Sequence, residues 1–61
     1  MEHVALRAAV EKLPEREKQV IALRYYHGMT QQASARVLHV SQVQISRLER
    51  RAVELLRNML E

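Results

Sequence analysis

Arginine, glutamine and serine crowd residues 41–51, SQVQISRLERR, and such side chains grip nucleobase edges and phosphates. Arginine pairs bidentately with guanine O6 and N7, and glutamine pairs with adenine N6 and N7. Val43, odd in water, can touch a thymine methyl. Ser41, at a helix start, can offer its hydroxyl and the free N–H groups to a phosphate. Between Arg36 and Arg51 stand four arginines (Arg36, Arg47, Arg50, Arg51) and one glutamate (Glu49), a local excess equal to the net charge of +3. That excess is the electrostatic footprint of a phosphate-binding face, although a solvated helix face with no partner carries the same charge.

Other chemistries lack their parts. Without cysteine or aspartate, no thiolate can hold zinc or attack a substrate. No glycine-rich loop cradles phosphate, and no nucleophile sits beside a plausible base. His3, His27 and His39 share neither an i, i+4 relation nor an acidic cluster, so no metal site is expected. The chain is expected to be no enzyme, with no cofactor and no small-molecule substrate. Tyr25 and Tyr26 are the only aromatics, and one ring is expected in the core with the other capping the surface. Glu17 and Arg24 lie seven residues apart on one helix face, and Arg24 is expected to brace helix ends or join an ion pair.

An all-α fold must position these groups. A chain of 61 residues is one small domain, and folding at this size removes only about 60% of the unfolded surface from water. One glycine and one proline leave few breakers, and no segment alternates apolar and polar residues long enough for a strand. A first helix is predicted over residues 2–12, with Leu6, Ala9, Val10 and Leu13 on one face. Pro14 ends it and suits the first turn of a second helix over 14–27, where Glu15 and Glu17 favour the helix dipole. Val20, Ile21, Leu23 and Arg24 occupy the centre of that helix, and Gly28 stops it. Thr30 is a natural N-cap for a third helix over 30–38, with Ala35 and Leu38 inward. Ser41 caps a fourth over 42–60, roughly 28 Å long at ~1.5 Å per residue.

At 100° per residue the fourth helix has two unlike sides. Ile45, Leu48, Ala52, Leu55, Leu56 and Met59 gather in one sector, the stripe a helix buries. Val43, Arg47, Arg50 and Glu54 lie opposite, with Ser46 beside them and Gln42 and Gln44 flanking the amino-terminal end. The major groove, about 12 Å wide, admits one α-helix and is read by residues near its N-terminus. Two other surfaces compete for such a helix. Part of its apolar stripe also fits two heptads of a coiled coil with a protein partner, fewer than the three or four a coiled coil wants. An anionic membrane surface would want bulky aromatics that are missing here. No run approaches the ~18 apolar residues of a membrane span, and the N-terminus lacks a signal peptide's pattern.

Residues 31–50 fit the twenty-residue helix–turn–helix pattern: small Ala35 where two helices approach, and apolar Leu38, Val40, Ile45 and Leu48 locking the pair. His39 stands where glycine is usual, at a turn that needs positive φ. More of the chain fits a single family. LPEREKQVIALRYYHGMTQQ followed by VSQVQISRLERRAVELLRNML resembles region 4 of bacterial RNA polymerase sigma factors, from about Leu6 to Leu60. SQVQISRLE looks most like the sporulation and general-stress branch. After TQQ this chain has Ala33 and Ser34 where the family has an acidic and then an aliphatic residue, which bears on the stability of the third helix.

The resemblance implies a compact four-helix domain that docks duplex DNA at the promoter −35 element and binds the β flap of core RNA polymerase. It implies base contacts from Gln42, Val43, Ser46 and Arg47, and backbone contacts from Thr30, Ser41, Gln44, Arg50 and Arg51. The protein is then cytoplasmic, at the bacterial nucleoid, away from the membrane, monomeric, and open to capture by an anti-sigma factor. A sigma factor also needs a domain for the −10 element and for melting, so the chain is expected to be a piece of a longer factor. Two alternatives stand beside this reading: another helix–turn–helix regulator of the response-regulator output type, and a helical protein-interaction module.

Overall fold

The computed structural model describes residues 2–60, with side chains from residue 5 onward; the His3 imidazole lies outside the described part. Four helices follow in order: α1 (Glu2–Glu11), α2 (Glu15–Ile21), α3 (Gln31–Leu38) and α4 (Gln42–Leu60), with no strand among the described residues. The fold is an all-α four-helix domain, and α3 with α4 forms the helix–turn–helix. At 19 residues, α4 is about 28 Å long. It nearly spans the 33 Å longest dimension of the molecule, and α1, α2 and α3 all pack on it.

Local chemistry sets each joint. After α1 the chain tightens, with Lys12 N–H donating to Ala9 O at 3.0 Å and Leu13 N–H to Val10 O at 3.1 Å. Pro14 sits just outside α2 with extended backbone (φ −54°, ψ 153°), one position earlier than the first-turn place predicted for it. Glu15 and Glu17 then occupy the first turn.

The helix predicted across 14–27 is not uniform. From Ala22 to Tyr26 it widens into a π-helical turn, where His27 N–H reaches Ala22 O at 3.0 Å. A π turn lengthens the hydrogen-bonded ring and narrows the angle between neighbouring side chains. The adjacent Arg24 and Tyr25 can therefore both reach one partner on α4. Gly28 ends the segment at φ +65°, a backbone state that glycine adopts without strain.

Two apolar clusters hold the helices. One joins Val10, Leu13, Ile21 and Ala52, with half-buried Leu55 and Leu56 against it. The other joins Val20, Ala35 and Ile45, with Leu38, Val40 and Leu48 against it. Ile45, Val20 and Ala52 are fully buried. Leu6 and Met59, predicted to face inward, lie at the ends of the stripe and are 38% and 40% exposed.

α3 packs on the second cluster and is fastened at both ends. Thr30 Oγ1 accepts from Ala33 N–H at 3.0 Å, the N-cap bond. Ser34, at the position where an aliphatic residue is usual, is fully buried, and its hydroxyl donates to Thr30 O at 2.8 Å. The hydroxyl is thus hydrogen-bonded inside the core, and a lone buried hydroxyl's desolvation cost is avoided. At the other end His39 adopts the left-handed conformation (φ 59°, ψ 43°). Val40 N–H bonds to Ala35 O at 3.0 Å and His39 N–H to Arg36 O at 3.3 Å. This is a Schellman close, with Val40 folding back onto the cluster that holds Ala35.

Candidate nucleic-acid interface

The amino-terminal turn of α4 is built by a reciprocal cap. Ser41 Oγ accepts from Gln44 N–H, and Gln44 Oε1 accepts from Ser41 N–H, each at 3.1 Å. This capping box satisfies two orphan donors of the helix start and fixes where the helix begins. It also engages the Gln44 amide oxygen, leaving Gln44 Nε2 and the Ser41 hydroxyl proton to face outward as donors.

From that start the 3.6-residue period sorts the side chains. Ile45 goes fully inside and Leu48 is half-buried against the same cluster. Gln42, Val43, Arg47 and Arg50 are exposed, and Ser46 is half-buried at the edge. Val43 is 60% exposed, an apolar side chain held in water at the centre of a polar face. Val43, Arg47 and Arg50 share about 60° of arc at ~100° per residue, so two of the predicted reading groups and one predicted backbone contact stand on one narrow strip. Thr30, at the start of α3, is exposed, and its capping role leaves its hydroxyl proton available.

Arg51 is placed differently. Its Nε lies 3.1 Å from Glu17 Oε2, so it ties α4 to the first turn of α2. Glu17 is 7% exposed, and a buried carboxylate needs such a partner. Only the remaining guanidinium nitrogens of Arg51 are left for a phosphate.

The residue that sequence reading passed over is Glu49. Its Oε1 accepts from Arg24 Nε at 2.9 Å and from Gln31 Nε2 at 3.0 Å, while Oε2 accepts from Tyr25 O–H at 2.9 Å. Arg24 also donates through Nη1 to Met29 O at 2.6 Å, bracing the turn into α3. The ion pair expected of Arg24 therefore forms with Glu49 rather than with Glu17. Burial pushes the Glu49 carboxyl up, but the bonds from Arg24, Gln31 and Tyr25 and the Arg24 charge outweigh it. Glu49 thus titrates below the ordinary glutamate value. The bond to Glu49, helped by burial, raises the Tyr25 phenol. The Arg24 guanidinium is held on its charged side by the same bond.

The tyrosines correct one expectation. Neither ring is in the core: Tyr25 is 58% exposed and Tyr26 53%. The core closes with aliphatic residues, and the rings lie over its edge. They line, with Leu6, Ile21, Val53 and Leu56, an apolar groove of about 220 Å³ on the side of α4 away from Arg47. Among the described residues no helix is long and apolar enough to cross a membrane.

The family described as Sigma-70, region 4 matches residues 9–58. The chain is 43% identical over 58 residues to the RNA polymerase sigma-F factor of Bacillus licheniformis, covering 95% of this chain and 23% of that protein. It is 49% identical over 51 residues to the sigma-F factor of Priestia megaterium, covering 84% and 20%. With the sigma factor SigF of Mycobacterium tuberculosis it shares 43% over 56 residues, covering 92% and 22%. These are the sigma factors of the branch to which SQVQISRLE pointed. The chain spans about a fifth of the length of these relatives. No solved structure matches it. A match running from the end of α1 to the last turn of α4, through the capped helix–turn–helix, places the chain in the sigma-70 region 4 family.

Proposed function

We propose that this chain recognises the promoter −35 element as duplex DNA, and so helps an RNA polymerase sigma factor direct core enzyme to its start sites. The amino-terminal half of α4 enters the major groove. Gln42, Val43, Ser46 and Arg47 meet base edges, while Thr30, Ser41, Gln44 and Arg50 hold the phosphates on either side. Arg51, drawn toward Glu17, contributes to the backbone contact through its outer nitrogens only. The observation that carries the reading is the two-sidedness of α4: Ile45 is fully buried while Val43, two residues earlier, is 60% exposed among arginines and glutamines. A valine in that place loses nothing when it leaves water for a thymine methyl.

The domain binds as a monomer in the bacterial cytoplasm, at the nucleoid, with no catalytic step of its own. The apolar groove at Tyr25, Tyr26, Val53 and Leu56 favours a second contact, with protein. Its occupant in this reading is the β flap of core polymerase, and an anti-sigma factor would compete for the same surface. Selection of bound sequences from a random duplex pool, followed by affinity measurements over a salt series, tests the proposal. A recovered consensus and a slope reflecting several released counterions support it. Binding that depends on salt but selects no sequence would refute base reading.

A further inference from the structure

We propose that Glu49 is the positioning residue for sequence reading: its carboxylate fixes the start of α3 against the recognition half of α4, and so sets how both meet the duplex. The inference rests on the DNA-binding reading above.

A carboxylate at the edge of a phosphate-binding face is unfavourable for DNA binding through its charge alone. Glu49 is nevertheless the single acidic residue between Arg36 and Arg51. It is not left as a free charge. Its side chain is 13% exposed and accepts three hydrogen bonds from two different elements. Arg24 and Tyr25 come from the π turn, and Gln31 is the first residue of α3. Through Arg24 the same network takes in Met29 O, in the turn between them. The π turn before Thr30, the turn at Met29 and the residue after Thr30 are therefore all tied to α4 through one carboxylate.

The geometry makes Gln31 the critical limb. Gln31 follows Thr30, whose hydroxyl is a predicted phosphate donor, and Glu49 lies two residues beyond Arg47. The bond between them spans α3 and α4 on the side where both would approach DNA. One turn before Glu49 on the same face of α4, Ile45 packs with Ala35, where apolar contact resists separation but tolerates small rotations. Hydrogen bonds to a charged acceptor are short and directional, and they remove that rotational freedom.

Two conservative substitutions separate position from charge. Glu49→Gln keeps the length: its amide oxygen can accept from Arg24 and Gln31, and its NH₂ can donate to the Tyr25 oxygen. Glu49→Asp keeps the charge but withdraws it by one methylene, out of simultaneous reach of three partners. The measurement is the ratio of affinities for the selected duplex and a scrambled duplex, by fluorescence anisotropy at fixed salt. It uses the 61-residue chain under conditions where circular dichroism shows each variant folded. Glu49→Asp is expected to lower the ratio about tenfold, the scale on which a charged hydrogen bond acts. Its affinity for the scrambled duplex should stay unchanged. Glu49→Gln is expected to keep the ratio and to bind the scrambled duplex somewhat more tightly, having lost one negative charge.

The reverse order, or equal ratios in both variants, overturns the inference. So does a parallel loss on both duplexes. A parent chain that prefers no duplex overturns the DNA reading itself, and this inference with it. A parent that discriminates while Glu49→Asp still discriminates equally overturns the inference alone.

Discussion

The two ends of α4 lean on different cores and present different outer faces. Toward its amino terminus, Ile45 and Leu48 close the cluster with Val20 and Ala35, and the outer face carries Val43, Arg47 and Arg50. Toward its carboxyl terminus, Ala52, Leu55 and Leu56 close the cluster with Val10, Leu13 and Ile21. The tyrosine-lined groove lies beside that second half. One helix therefore joins a locked helix–turn–helix to a more open platform built on α1. Polar locks reinforce the first half: the Ser41–Gln44 cap, the His39 close and the Glu49 network. The second half has mainly packing and the Arg51–Glu17 pair. Small domains have little stability to divide, and here most of the polar locks stand behind the reading face.

The largest expected effect tests whether the first core controls the whole. Ile45→Ala removes a fully buried side chain, and by the usual cost of such truncations it should destabilise by about 2–5 kcal/mol. In a domain this small that approaches the total, so urea denaturation should show a population largely unfolded without denaturant. Leu55→Ala, at a half-buried position in the other cluster, should cost clearly less. Equal losses would mean that the clusters act as one core.

Next in size is a change confined to the reading face. Arg47→Ala should leave the urea midpoint unchanged and cost about 1–3 kcal/mol on the selected duplex, relaxing preference at one base pair. Arg50→Ala should weaken binding to all duplexes and lower the salt slope by about 1. If Arg47→Ala weakened every sequence equally, Arg47 would join Arg50 among the backbone contacts.

Smaller still is the joint between α3 and α4. His39 holds φ 59°, and its exposed imidazole makes no hydrogen bond among the described residues. Glycine relieves the left-handed strain but gives the unfolded chain more freedom. The balance should be a gain of about 0.5–1 kcal/mol for His39→Gly in thermal denaturation. A loss would show that the imidazole makes a stabilising contact.

The smallest effect is acid sensitivity. The Glu49 carboxyl titrates below the ordinary value of 4.5 in the folded chain. A depressed carboxylate contributes stability above the unfolded value, and that contribution is lost as pH falls through the folded one. Stability followed by circular dichroism should therefore decline below about pH 4.5. Glu49→Gln should flatten part of that decline, and an unchanged acid limb would remove Glu49 from the account.

Periodicity makes the two faces of α4 legible in the sequence, because Ile45, Leu48 and Ala52 recur at helical spacing and arginines fill the gaps. The cap at Ser41 and the left-handed His39 were legible too, as each follows from a residue type at a fixed place in a helix–turn–helix. The Glu49 network was not. Its partners lie 18 to 25 residues away, and a lone glutamate in a basic run reads as simple charge balance. The Arg51–Glu17 pair was hidden for the same reason. The π turn had no signal in ALRYY, whose residues read as a continuation of the helix before them. The tyrosines misled because aromatic rings usually seek a core, and this one is already filled by smaller residues.

The most direct test of the central claim is an NMR titration of the chain with its selected duplex, read residue by residue. The account predicts that the resonances of Gln42, Val43, Ser46 and Arg47 shift first and furthest, with Thr30 and Arg50 following and Ala52 and Leu55 nearly still. Shifts centred on Tyr25, Tyr26 and Leu56, with Val43 and Arg47 unmoved, would contradict it.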